Sequence, residues 1–429
     1  MSFLRAGSIY AVANVASAAV PFLLLPLLTR VLGPADYGQV VSFGLLVTAS
    51  TAIAGLSVHG AVGVAWFNRA REEMPAITTA ALTVAVASTL IVAVGCAALL
   101  GVFPQLGPGI SPAWGAVAGL TAGCNAIAQC KLVLWRSQQR ARAYAFAQFG
   151  ASLLNMGLSL LAVLAFGWGA VGRNFGIATA ALLVACFTTG LMLRAGELTR
   201  SLRPEHMRML VAFGASLIPH ALAGVLVGTM DRWAVSIQLG AYELGIYAAA
   251  AQLGTVMAIL ADAFGKAYSP WLYGKLSSAH ASDKRRAVGA IYVAMPGFLC
   301  VALVLAIALV WLSGALLGPR YQAAGTILPW FVLGGAFNGM YVCTSSLYFF
   351  SGRTALLATV TVSGTLLGAA STWMLVASLG AAGAAIGYAL TQLLLAFSTF
   401  VVAVRSFDLP WGKPGRALTL WWQGVYPHA

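Results

Sequence analysis

The chain has 429 residues, a length that in a soluble protein would suggest about two or three domains. Its composition excludes that reading: only 8% of residues are charged and 60% are hydrophobic, with a mean hydropathy of +0.89. The formal charge of +14 does not point to nucleic acid, because the basic residues sit in short segments between long apolar runs, as in a polytopic membrane protein.

Apolar runs long enough to cross a hydrocarbon core of about 30 Å recur from end to end. Arg5, the apolar run after it and Ala16-Ser17-Ala18 mimic a secretory leader with its small-residue cleavage site. The run continues past Pro21 and Pro26 to Leu32, however, and reads as an uncleaved first helix. Hydropathy, with Gly, Pro and charge marking the connections, predicts twelve spans. They lie near 8–30, 39–65, 75–101, 114–134, 145–166, 175–193, 209–230, 246–264, 288–311, 326–349, 355–377 and 385–404. The fold class expected is all-α membrane, in two bundles of six: 1–200, 201–404, and a cytoplasmic tail over 405–429.

Loop charge sets the expected orientation. Of the 24 Lys and Arg, only Arg30, Arg173, Arg232 and Arg320 fall on the side of the odd-numbered loops. The excess on the other side places both termini and the even-numbered loops in the cytoplasm.

The halves echo one another. Residues 32–40 read LGPADYGQV and 239–247 read LGAYELGIY, each opening on Leu-Gly with a Gly six residues after the Leu. Leu106-Gly107-Pro108 matches Leu317-Gly318-Pro319, and Arg142 matches Arg353, at one offset. At that same offset Gly169-Ala170-Val171-Gly172 and Gly176 match Gly380-Ala381-Ala382-Gly383 and Gly387. Six spans separate the copies, so the repeat is parallel, about an axis along the membrane normal.

No HExxH, GxSxG or Walker-type phosphate loop occurs, and acidic residues number ten, so neither an enzyme nor a cofactor is expected. The six cysteines all fall in apolar runs without a CxxC, as small packing residues and not metal ligands.

The residues that can carry function are polar groups within spans, where each is costly unless it faces protein or water. In span 7, His220, Gly224, Val227 and Asp231 share a helix face, and Arg232 can pair with Asp231. They read either as a local ion pair at an interface or as the lining of a hydrated cavity. In span 8, Asp262 and Lys266 stand at i,i+4 near the cytoplasmic end, where a snorkelling surface pair is the plain alternative. Asp262 is also a candidate for ion coupling.

His59 shares a face of span 2 with Thr51 and Gly55, and Arg30 ends span 1 on the outer side. Uncharged polar stripes mark three further spans. They are Asn125 and Gln129; Gln148, Ser152, Asn155 and Ser159; and Asn338, Tyr341, Ser345 and Tyr348. Such stripes serve interhelical hydrogen bonding or a hydrated interior. A cavity lined by Arg30, His59, His220, Arg232 and Lys266 against Asp231 and Asp262 would carry a basic excess. It would favour an anionic group, for which arginine offers bidentate phosphate contacts.

The run PLLTRVLGPADYGQVVSF at 26–43 resembles the first-loop signature of the Wzx-type oligosaccharide flippases, the polysaccharide transporters of the MOP exporter superfamily. DRWAVSIQLGAYELGIYAAAAQL at 231–253 is similar to their span 7–8 junction, and LLGPRYQAAGTILPWFVLGGAF at 316–337 and GAAGAAIG at 380–387 also fit. Arg30, Asp231 and Arg232 lie in the matching stretches; His59, His220 and Lys266 come from charge placement alone.

The resemblance implies a V-shaped pair of bundles around a cationic cavity. It implies a flippase moving undecaprenyl-diphosphate-linked oligosaccharide from the cytoplasmic to the periplasmic leaflet by alternating access, for O-antigen, capsule or exopolysaccharide assembly. The site would be the bacterial inner membrane, with a polysaccharide polymerase and a chain-length regulator as further partners. The absence of two extra spans lowers the lipid II reading. The alternative is a small-molecule or drug exporter of the MATE branch, which would prefer acidic groups for cationic cargo. A major-facilitator transporter fits poorly, because its characteristic loop would fall at FNRAREEMPA.

Overall fold

The computed structural model describes residues 3–278 and 280–412, with the side chains of 3–15, Ala18, His220 and Val227 outside the description. Helices α1 (Phe3–Val31), α2 (Pro34–Thr51), α3 (Val58–Asn68), α4 (Met74–Val102), α5 (Pro112–Ser137), α6 (Ala141–Leu160) and α7 (Gly169–Arg194) come first. They are followed by α8 (Pro204–Leu276), α9 (Ala281–Leu316), α10 (Ala324–Phe350) and α11 (Thr354–Ser406). Among the described residues, nine helices are long and apolar enough to cross a membrane. Their outward faces carry bare hydrophobic side chains such as Trp311, Phe146 and Ile91, which suits contact with lipid.

Glycine geometry accounts for the longest helices. Gly240 (φ 81°, ψ −172°) interrupts α8 and Gly380 (φ 63°, ψ −145°) interrupts α11, conformations that are costly for any residue with a Cβ. Divided there, and with α2 and α3 taken as one interrupted passage, the helices match the twelve expected spans.

The interruption between α2 and α3 was not expected. Gly55, Leu56 and Ser57 all take positive φ, so the second span is two short helices joined by left-handed backbone. The Gly55 N–H is met by Ser88 Oγ of α4 at 3.0 Å, which satisfies a donor that the broken helix cannot.

The chain forms two compact units, Met1–Gly245 and Ile246–Ala429. In the first, Val58, Ala61 and Val62 of α3 form a fully apolar core with Ile77, Ala80 and Val84 of α4 and Leu210 of α8. A second core joins Leu24, Leu28 and Leu32 to Val40, Val163 and Ala170. The early part of α8 therefore packs with α3 and α4, although the repeat would begin a new bundle near residue 201.

In the second unit, Tyr247, Phe331 and Tyr388 form a chain of ring contacts at 5.0 and 5.6 Å. Tyr348 Oη donates to the carbonyl of Thr399 at 2.7 Å, and Asn338 Nδ2 to Gln392 Oε1 at 3.4 Å. These members of the α10 polar stripe thus serve interhelical hydrogen bonding. The expected tail over 405–429 is described only to residue 412, where Trp411 stacks edge-on to Tyr292 and Phe400.

The repeated glycines do the same work in both copies. Gly169 and Gly380 both have positive φ and each opens a helix. At Gly172 a Cβ would crowd the backbone of Ala162, and at the matching Gly383 that of Leu375. At Gly176 and Gly387 it would crowd Ser159 and Thr372. Each glycine run lets its helix close against the one before it, the small-residue packing typical of membrane helices.

Candidate functional site

The two echoed loops meet. A Cβ on Gly38 would collide with the carbonyl of Ala241, and one on Gly245 with the carbonyl of Pro34. The glycine that each loop carries six residues after its leucine is therefore the point of backbone contact with the other loop. Beside this contact Trp233 packs on a core of Phe43, Leu46 and Leu100, and Phe43 meets Trp114 edge-on at 5.7 Å.

The junction gathers positive charge. Tyr37 stands in the first turn of α2, ahead of the apolar run. Burial holds its phenol above the ordinary value, while the charges of Arg173 and Arg232 pull it down. Arg232 and Asp231 are half-buried in α8.

Arg173 comes from the first turns of α7, which Gly172 and Gly176 bring against α6. Its Nη1 donates to Asn155 Oδ1 at 2.5 Å and also to Ser159 Oγ. Three helices, α2, α7 and α8, thus contribute to one cationic corner. Arg30 lies in the last turn of α1 with an exposed side chain.

The other expected residues fall elsewhere. His59 begins α3 just past the left-handed break; its Nδ1 is buried and has no hydrogen-bond partner among the described residues. Asp262 and Lys266 lie in the second unit, 2.5 Å apart and 64% and 66% exposed, as an i,i+4 pair on a helix surface. His220 lies on α8, but its side chain is outside the described residues.

From Asn155 a cavity of about 210 Å³ opens between α5, α6 and α7. Two polar stripes face it together: Asn125 and Gln129 from α5, and Gln148, Ser152 and Asn155 from α6. The α7 side of the lining is apolar, with Ile177 and Val184.

Reading the sequence missed a buried ion pair as well as Arg173. Lys131 of α5, 2% exposed, donates to Glu197 at 2.5 Å, and Gln138 Nε2 donates to the other carboxylate oxygen at 3.2 Å. Both charges are satisfied in place, so the pair is structural.

The family model described as "Polysaccharide biosynthesis protein" matches residues 3–273. The chain belongs to this family. With nine helices among the described residues long and apolar enough to cross a membrane, it is a multi-pass membrane protein.

Among relatives of this polysaccharide biosynthesis protein, Lsg locus putative protein 1 of Haemophilus influenzae is 24% identical over 390 residues, 86% of this chain and 90% of that protein. A protein of the same organism described as an uncharacterized membrane protein is 23% identical over 286 residues, 64% and 66% of the two chains. Among solved structures, an inward-facing multidrug resistance MATE transporter of the MOP superfamily matches with a TM-score of 0.69 at 14% identity, covering 92% of this chain and 94% of that one. The lipid II flippase MurJ, in an inward closed conformation, matches with a TM-score of 0.67 at 11% identity, covering 97% and 90%. The fold is thereby shown to be like that of these two structures.

Proposed function

We propose that this polysaccharide biosynthesis protein is a flippase for undecaprenyl-diphosphate-linked oligosaccharide. It carries the unit from the cytoplasmic to the periplasmic leaflet of the bacterial inner membrane, by alternating access, for assembly of O-antigen, capsule or exopolysaccharide. The observation that carries this reading is the gathering of Arg173 and Arg232 about Tyr37, inside a fold otherwise built from apolar helices. Cationic side chains gathered at one corner suit an anionic cargo, and a diphosphate is the group for which guanidinium geometry is best matched.

In this proposal Arg232, oriented by Asp231, engages the diphosphate. Arg30, His59, His220 and Lys266 supply further positive or hydrogen-bonding groups along the route. Asp262 remains the candidate for ion coupling. Both termini face the cytoplasm, as the loop charges require, and a polymerase and a chain-length regulator receive the translocated unit. The alternative of a drug exporter has the MATE likeness in its favour, but that likeness is one of fold.

Deleting the gene, in a strain with no second copy, should stop surface polysaccharide and leave its lipid-linked unit in the inner leaflet. Arg232→Ala should lower export by about tenfold or more, as expected when a charge-assisted hydrogen bond is lost, with protein level unchanged. Normal polymer export from the deletion strain, together with new drug sensitivity, would overturn the proposal in favour of the exporter.

A further inference from the structure

The cavity between α5, α6 and α7 does not belong to the cationic corner, although Asn155 borders both. Among the described residues, the amides of Asn125, Gln129 and Gln148 make no side-chain hydrogen bond to the protein. Each such amide offers two donors and a carbonyl acceptor, and at membrane depth an unmet polar group costs several kcal/mol. Asn125 is exposed and Gln129 and Gln148 are half-buried, so these amides face the open space of the cavity and are free to meet whatever fills it. At about 210 Å³ it exceeds what one water needs, about 10–15 Å³.

The lining also states what the occupant is not. Among the described residues no carboxylate borders the cavity, so it does not suit a cation, and no cationic side chain borders it either. The nearby Arg173 Nη1 is committed to Asn155 and Ser159. What remains is a set of neutral groups able both to donate and to accept, facing the apolar side chains of Leu132, Ile177 and Val184. Hydroxyls that donate and accept, on a ring with an apolar C–H face, are complementary to that lining.

We infer that this cavity is a subsite for one neutral sugar ring of the transported glycan, separate from the arginines that hold the diphosphate. The inference rests on the flippase reading and adds that the N-terminal unit reads the sugar. Amides and hydroxyls would supply selectivity, because a site built for hydroxyls rejects analogues that leave its polar groups unpaired.

The test uses full-length protein and two probes: the host's own glycan released from its lipid by mild acid, and undecaprenyl diphosphate without sugar. Binding is measured for wild type, for Gln129→Leu combined with Gln148→Leu, and for Ser152→Leu, which fills the space while keeping both amides. Thermal unfolding in detergent verifies that each variant is folded, and Gln129→Ala replaces the double variant if that one is not.

Wild type should bind the released glycan, and both kinds of variant should weaken it by about tenfold, the loss expected for one or two hydrogen bonds. Binding of the sugar-free lipid should be unchanged. Equal glycan binding by wild type and variants, or none by wild type up to millimolar concentration, overturns the subsite. Either result leaves the flippase reading intact if wild type still translocates the lipid-linked unit, whereas failure of that translocation removes the flippase reading itself.

Discussion

Arg173 Nη1 is held by Asn155 and Ser159, so its positive charge is fixed in place instead of sampling lipid headgroups. Replacing it with Lys keeps the charge but puts a shorter, ammonium-tipped side chain where Nη1 meets both acceptors. Arg173→Lys should therefore retain part of polymer export, and Arg173→Ala should lose about tenfold or more; equal export from both variants would make the charge at this position irrelevant. Lys131 is a different case, because its charge is met inside the unit by Glu197. Lys131→Met alone should destabilise the protein by about 3–5 kcal/mol, the cost of leaving a buried charge without its partner, while Lys131→Met with Glu197→Leu should recover most of it. Thermal unfolding of the purified proteins measures this directly. Neither arginine nor lysine was legible as a site residue from sequence. Arg173 falls in a short outer loop by hydropathy, and Lys131 near the end of a span looks like one more cytoplasmic charge. The spacing of Asn155 and Ser159 on one helix face was visible, but not the residue of another helix that they bind.

At the scale of elements, close backbone approach governs what the glycines do. Gly38 and Gly245 leave no room for a Cβ against Ala241 and Pro34. Either glycine changed to Ala should force α2 and α8 apart, lowering both the unfolding temperature and export; Gly44→Ala, where the space is open, should lower neither. The break between α2 and α3 predicts the opposite sign. Ser57 holds φ 48°, ψ 25°, a left-handed position that costs a residue with a Cβ about 1 kcal/mol. Ser57→Gly should raise stability by part of that amount, and a fall would mean that the side chain itself holds the break. The loop echoes announced the contact of Gly38 and Gly245 only as a likeness between two stretches. The broken span was illegible because TAIAGLS carries no charge or proline and contains a single Gly.

At the scale of the molecule, the parallel repeat was the most legible feature. The same glycine spacing recurs, and it produces the same hairpin packing at α6–α7 and within α11. Charge does not recur with it. Asp231 and Arg232 stand where the first copy has Leu24 and Leu25, and those leucines are buried in apolar packing. The backbone pattern is thus repeated while the charge is not, so Asp231 and Arg232 have no counterpart in the first copy. Chemistry was less legible than fold because polar stripes of equal appearance have different uses. The stripe on α10 closes on Gln392 and Thr399, whereas those on α5 and α6 face open space.

Movement of a lipid-linked glycan across the bilayer, as proposed for this protein, can be followed in a reconstituted system. Proteoliposomes would be loaded with the host's lipid-linked oligosaccharide, and the fraction open to a membrane-impermeant glycosidase followed over time. Wild-type protein should expose the pool sealed in the inner leaflet, and Arg232→Ala should leave it protected as in protein-free vesicles. Protection that persists with folded wild-type protein, under both a membrane potential and a proton gradient, would contradict the account.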